Sequence, residues 1–264
     1  DASPLLSASV VNFTITSCFY FEHRIYYLKI TIFRALATMK TSLIDFLLCG
    51  LAITLILAAS LATVYYGIAP FSQQYLHAYH VVFDFFLFLL LYGLYSGFTI
   101  QVLIRVKPLQ LGEFAMDHPN FTYWKLLTII YRLGEFFLFP FTTVFTKPLV
   151  VKLFGAKIGK NVAIGGIIDD PYLISIGDNS IIGQNALVAG NASMNGKIHF
   201  GKVTIGSGVT VGVNSVVLPD VELGNNSVLS IGSVILSGTK VPNDETWRGN
   251  PARKWQGITS STTT

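Results

Sequence analysis

The chain has 264 residues, of which 52% are hydrophobic and only 12% charged, with a formal net charge of +4. Soluble domains carry about 25% charged residues, so half that share points to a protein with part of its length in a membrane. A charge of +4 with no run of Lys or Arg argues against a nucleic-acid partner, and the isolated Cys18 and Cys49 argue against a disulfide framework.

The first 42 residues carry the weakest signal. The chain begins at Asp1 without a Met, as a piece of a longer protein does. Ala2 to Phe21 has no charge but is broken by Ser, Thr and Asn, which leaves a third membrane span open; no cleavable signal pattern is evident.

Residues 43–108 are expected to form a two-helix transmembrane hairpin. Phe46 to Tyr66 and Phe85 to Ile104 are uncharged. Each is long enough, because about 30 Å of hydrocarbon takes roughly 20 apolar residues at about 1.5 Å each. Asp45, Gly67 and Pro70 bound the first; Asp84, Arg105, Lys107 and Pro108 bound the second. Arg24, Lys29, Arg34 and Lys40 precede the first span, and Arg105, Lys107, Lys125 and Arg132 come after the second. The connecting loop from Gly67 to His80 has no Lys or Arg, so the excess of cations places both flanks, both termini and the rest of the chain in the cytoplasm.

Residues 119–154 are read as a helix and a connector. Phe121 to Phe139 mixes Tyr123, Trp124 and Tyr131 with Phe and Leu, and intersperses Lys125, Arg132 and Glu135. That pattern suits a helix at the membrane interface and equally a helix packed on the end of the next domain. Pro140 and Pro148 punctuate the connector.

Over 155–256 the sequence is periodic. Ile158, Ile164, Ile176, Ile182 and Val188 are separated by multiples of six, and Ile205, Val211, Val217, Leu223, Leu229, Ile235 and Val241 continue the spacing. Four residues after these anchors stands a small or β-branched residue, as at Val162, Ser180, Ala186, Ser215 and Ser233. In a strand, an anchor and the residue two before it point the same way, so each hexad presents one such pair to the interior. Three hexads close a triangular coil whose backbone bonds to the next about 4.8 Å along. Gly succeeds many anchors, including 159, 177, 206 and 212, and is assigned here to backbone angles at the bends. The expected fold is thus a transmembrane helical hairpin leading into an all-β parallel β-helix, with a disordered tail over 257–264.

Two irregularities mark candidate sites. Position 170 should be an anchor but is Asp170, beside Asp169 and Pro171, so the chain is expected to turn outward there. Val188 to Ile205 is 17 residues, not a multiple of six, so Gly190 to Lys202 leaves the coil as a loop.

The hexads, the extruded loop and the ending Trp247-Arg248-Gly249-Asn250-Pro251-Ala252-Arg253-Lys254 resemble the hexapeptide-repeat acyltransferases of the galactoside and maltose O-acetyltransferase type. The hairpin and the entry Leu153 to Gly159 are similar to the membrane-embedded C-terminal region of poly-lysine synthetase and related peptide-synthetase-terminal proteins. The resemblance implies a left-handed coil, a homotrimer with clefts between prisms, and an acyl thioester of coenzyme A as co-substrate, with no tightly bound cofactor and no metal. It implies a His in the extruded loop as general base. Here that position is Asn191, whose amide cannot accept a proton at useful pH. His199, in the same loop, is the substitute, and Asp170, with Asp169, the further candidate. The coenzyme is expected along Gly212, Ser215 and Ser233, with its phosphates near Arg248, Asn250, Arg253 and Lys254, and Trp247 is expected to cap the open end.

The function expected is a membrane-bound transfer of an acyl group to a hydroxyl or amine acceptor. The alternative is a non-catalytic β-helix, a scaffold or assembly module, motivated by Asn191. A zinc carbonic anhydrase on such a fold needs about three His ligands per metal, against His199 alone in the repeats.

Overall fold

The computed structural model describes residues 43–255; the expectations for residues 1–42 and for the C-terminal tail lie outside them. Helix α1 spans Leu43–Ala62, and a widened π turn over Thr63–Ile68 leads into α2, Ala69–Leu76. A single 3-10 turn, His77–Tyr79, precedes α3, His80–Val106. The connection from Gly67 to His80 is therefore helical for most of its length, not the loop expected. Leu76 and His77 end that helical run, with His77 at φ 48 and ψ −121. The hydroxyls of Thr63 and Tyr95 lie 2.9 Å apart. An unbroken helix would separate them by about 48 Å, so the chain reverses between them.

Leu43–Val106 is long and apolar enough, by length and composition, to cross a membrane. One face of its last third is covered by protein. Tyr92, Gly93, Ser96, Gly97 and Ile100 are buried, and at Gly93 and Gly97 a Cβ would overlap the side chains of Leu138 and Leu153.

Helix α4 spans Pro119–Leu138, close to the expected bounds. His118 caps it by accepting the amide of Asn120, and Pro119 opens the first turn. Phe121, Leu127, Ile130 and Tyr131 are buried, and the Tyr131 hydroxyl donates to the carbonyl of Ile168 at 2.8 Å. The segment thus packs on the next domain. A short helix α5, Lys147–Leu153, hands the chain to the repeats.

The repeats form a parallel β-helix of about five turns with three faces. One face stacks Ile158, Ile176, Ile205, Leu223 and Val241. The second stacks Ile164, Ile182, Val211, Leu229 and Trp247. The third stacks Ile168, Val188, Val217 and Ile235. These anchors fill one core together with the small corner residues Ser180, Ala186, Ser215, Ser227 and Ser233, each nearly or wholly excluded from solvent.

The corners work differently from the expectation. The glycines just after the anchors do not carry positive φ. They are needed for stacking: a Cβ on Gly183, Gly212 or Gly224 would fall 2.6–2.7 Å from the backbone nitrogen of Val213, Ile231 or Asn243 in the next coil. The left-handed residue comes three after the anchor, at Asn161, Asn179, Asn185, Gly208, Asn214, Asp220, Asn226, Gly232, Gly238 and Asp244. Asn, Asp and Gly tolerate that conformation best.

The first coil breaks step. Its third anchor is Ile168, paired with Val188, four residues after Ile164 instead of six. Asp170 takes positive φ and Pro171–Leu173 makes a 3-10 turn, which restores the register at Ile176. At the far end Trp247 packs on the core, as expected, and Thr246–Gly249 folds back antiparallel on Ala252–Lys254.

Candidate active site

The excursion after Val188 is a β-hairpin. Strands β2 (Asn191–Met194) and β3 (Lys197–Phe200) pair antiparallel around Asn195 and Gly196, both at positive φ. Strand β1, Gly112–Ala115, adds to the other edge of β3. This strand is not evident in the sequence, because four residues between Pro108 and Pro119 carry no clear alternation.

Strand alternation divides the three candidate catalytic residues. Asn191 stands opposite Phe200, and His199 opposite Ala192 and Glu113. Asn191 and Phe200 face the protein: Phe200 is fully buried, with its ring 5.7 Å from that of Trp124. His199, on the other face, looks outward beside Glu113 and Lys197, an exposed ion pair 3.7 Å apart.

On the inner face Asp170 is almost wholly buried and not turned outward. The cost of burying a carboxylate is met by three donors. The Trp124 indole N–H and the Tyr172 hydroxyl donate to Oδ1 at 2.9 and 2.8 Å, and the Asn191 amide donates to Oδ2. Burial and the neighbouring Asp169 nevertheless push the Asp170 carboxyl up to about 6, against the pull of those three bonds. Burial and Asp170 together push the Tyr172 hydroxyl well above its ordinary value. Asp169 takes an ion pair with Arg132 at 2.9 Å. Asn191 is thus committed to Asp170, and all four groups tie helix α4 to the base of the hairpin.

On the outer face His199 Nε2 bonds to Asp220 Oδ2. Its Nδ1 is shut off from solvent with no hydrogen-bond partner among the described residues. Asp220 sits at a corner, three after the anchor Val217, with φ 58. A Cβ on Gly201 would fall 2.6 Å from Asp220 Oδ2, so the glycine clears the path of that carboxylate. Sequence reasoning misses Asp220, because Pro219-Asp220 reads as an ordinary turn; the signal available is its place one full coil, 18 residues, after the loop's last residue, Lys202.

The residues expected along the coenzyme differ in burial. Ser215 and Ser233 are fully buried: the Ser215 hydroxyl donates to the Ser230 carbonyl, and Ser233 accepts the Gly249 amide. Both hydroxyls are engaged at the corners. Gly212 lies at a stacked corner. Of the tail, Arg248 and Arg253 stand directly across the terminal hairpin from one another, and both are exposed. Arg248 lies 5.2 Å from the Trp255 ring centroid, Lys254 pairs with Glu245 at 2.6 Å, and Asn250 precedes a cis Pro251.

No family model matches the chain. Local similarity to curated proteins is clear. YvoF of Bacillus subtilis (strain 168), provisionally named an acetyltransferase, is 36% identical over 83 residues, covering 31% of this chain and 47% of that protein. Galactoside O-acetyltransferase of Escherichia coli (strain K12) is 32% identical over 94 residues, covering 33% and 45%. The chain is thus similar, over its repeats, to hexapeptide-repeat acetyltransferases. A solved galactoside acetyltransferase in complex with coenzyme A aligns with a TM-score of 0.43 and 21% identity, over 60% of this chain and 90% of that one. Delta-poly-L-ornithine synthetase of Acinetobacter baumannii (strain AB307-0294) is 28% identical over 113 residues, covering 41% of this chain but 8% of the synthetase. The chain therefore spans less than half the length of the curated hexapeptide-repeat relatives it matches.

Proposed function

We propose that the chain is a membrane-bound acetyltransferase that moves an acetyl group from acetyl-coenzyme A to a hydroxyl or amine acceptor, with His199 as general base. The observation that carries this reading is the His199–Asp220 pair on the outward face of the extruded hairpin. It is the one contact between a histidine ring and a carboxylate within 4.0 Å among the described residues. A carboxylate on one ring nitrogen fixes the tautomer and leaves the other nitrogen with a lone pair. Nδ1 takes the acceptor's proton as its oxygen or nitrogen attacks the thioester carbonyl. A C–O or C–N bond forms, the C–S bond breaks, and the proton passes on to the departing thiolate. Glu113, across the strand pair from His199, and Lys197 form an exposed, weakly held pair on the same face.

The family resemblance supports the remaining features. The coil winds left-handed and assembles as a homotrimer. Two of its faces suit association, with Ile181 and Val228 outward on one and Ile167, Leu187, Val216 and Val234 on the other; the third carries Lys157, Glu222 and Lys240. Arg248 and Arg253 meet the coenzyme phosphates. Helices α1 and α3 form the transmembrane hairpin, holding the β-helix and both termini on the cytoplasmic side. Leu47, Leu51, Leu55, Phe85 and Phe98 are each more than half exposed, an apolar surface that suits lipid. A second reading, a non-catalytic scaffold, is favoured by Asn191 at the family's His position.

Incubating the purified chain in detergent with radiolabelled acetyl-coenzyme A and a panel of hydroxyl and amine acceptors separates the two. The transferase reading expects binding and label transfer; neither binding nor transfer would leave the scaffold.

A further inference from the structure

Asp170 is the meeting point of four segments. Trp124 reaches it from helix α4, Tyr172 from the 3-10 turn, and Asn191 from the first residue of the hairpin, while its own backbone closes the first coil. Flanking ties run the same way: Arg132 to Asp169 at 2.9 Å, Tyr131 to the Ile168 carbonyl at 2.8 Å, and the Trp124 ring against Phe200, the last residue of the hairpin. A carboxylate, which only accepts, suits three converging donors; an amide would set its own NH2 against one of them. Phe200 therefore packs on the indole of Trp124, Asn191 is linked to the same indole through Asp170, and His199 is the residue next to Phe200.

We infer that Asp170 and Trp124 are positioning residues that hold the His199 hairpin in register with helix α4, so that the place of the base is set from the helix side. The chemical consequence rests on the transferase reading above; the geometric one does not.

The test is amide hydrogen exchange of residues 191–200 in the full chain, compared among wild type, Trp124→Phe and Asp170→Asn, alongside acetyl-transfer kinetics. Trp124→Phe keeps an aromatic ring against Phe121 and Phe200 while removing the indole N–H, so it covers the case in which Asp170→Asn fails to fold. Exchange over 191–200 is expected to quicken by about 10-fold in each variant, while amides at 205–241 stay as in wild type. Transfer should fall in kcat with KM for acetyl-coenzyme A unchanged, and the double variant should be no worse than Asp170→Asn alone. Unchanged hairpin exchange, or an equal rise throughout the β-helix, would overturn the inference. If the wild type transfers no acetyl group, the transferase reading fails while the exchange comparison still decides this one.

Discussion

The two faces of the extruded hairpin present neighbouring residues in opposite circumstances. On the inner face Asn191 and Phe200 are fixed against Asp170 and Trp124. On the outer face His199 is bound at one nitrogen by Asp220 and left unpartnered at the other. One residue of separation along a strand reverses the face, and that divides the position that aligns with the family's base from the one proposed here as the base.

Altering each face in turn puts this contrast at risk. Replacing His199 by Asn should lower acetyl transfer by about 100-fold or more with the fold intact, read as kcat at saturating acetyl-coenzyme A. Asp220→Asn, which offers Nε2 the wrong partner, should act in the same direction. Asn191→His, by contrast, should bring no gain, since a ring there cannot both satisfy Asp170 and reach the outer face. A gain of activity in that variant would mean that the inner face holds the reaction.

In the coils the same one-residue alternation makes a stability contrast. Ile182 is buried and Ile181 is 51% exposed. Ile182→Ala should cost about 2–5 kcal/mol. Ile181→Ala should cost the monomer less than about 0.5 kcal/mol, with a larger loss only where that face is covered by a second copy. Denaturant unfolding of the two variants measures the gap. Gly212→Ala should cost about 1–3 kcal/mol through overlap with the next coil, even though its backbone is not in the left-handed region.

Smaller but diagnostic is the effect of pH on the inner face. The Asp170 carboxyl stands at about 6 in the fold against 3.8 in the unfolded chain. The folded state therefore holds this proton more tightly, and its contribution is fully present below 3.8 and lost as pH rises through about 6. Thermal melts from pH 7 to pH 4 should show wild type gaining on Asp170→Asn by on the order of 3 kcal/mol. A wild type that loses ground on acidification would contradict the burial of an ionised Asp170. Least of all, Lys254→Ala should shift stability only slightly, because more than half of the Lys254 side chain is exposed.

The regular coils are legible because six-residue spacing has one economical packing solution, and Ile158 to Val241 keep to it. Trp247 as the cap is legible for the same reason. The step at Ile168 is not: Ile167 and Ile168 are adjacent, and only the pairing with Val188 tells which is the anchor. Asp170 defeats a sequence reading because its donors Trp124 and Asn191 lie 46 and 21 residues away in sequence. The glycines are recognisable as necessary, but the bend angles assigned to them belong to Asn, Asp and Gly two residues further on. Asp220 escapes notice because, at a corner, it resembles every other turn residue. Spacing reveals what repeats, and the candidate site is built from what does not.

The most direct measurement is transfer of radiolabel from acetyl-coenzyme A to acceptor by wild type, His199→Asn and Asn191→Ala, with coenzyme binding monitored in parallel. With His199 as the base, His199→Asn binds coenzyme but transfers almost nothing, while Asn191→Ala keeps measurable transfer from a loosened hairpin. Full transfer by His199→Asn would contradict that assignment.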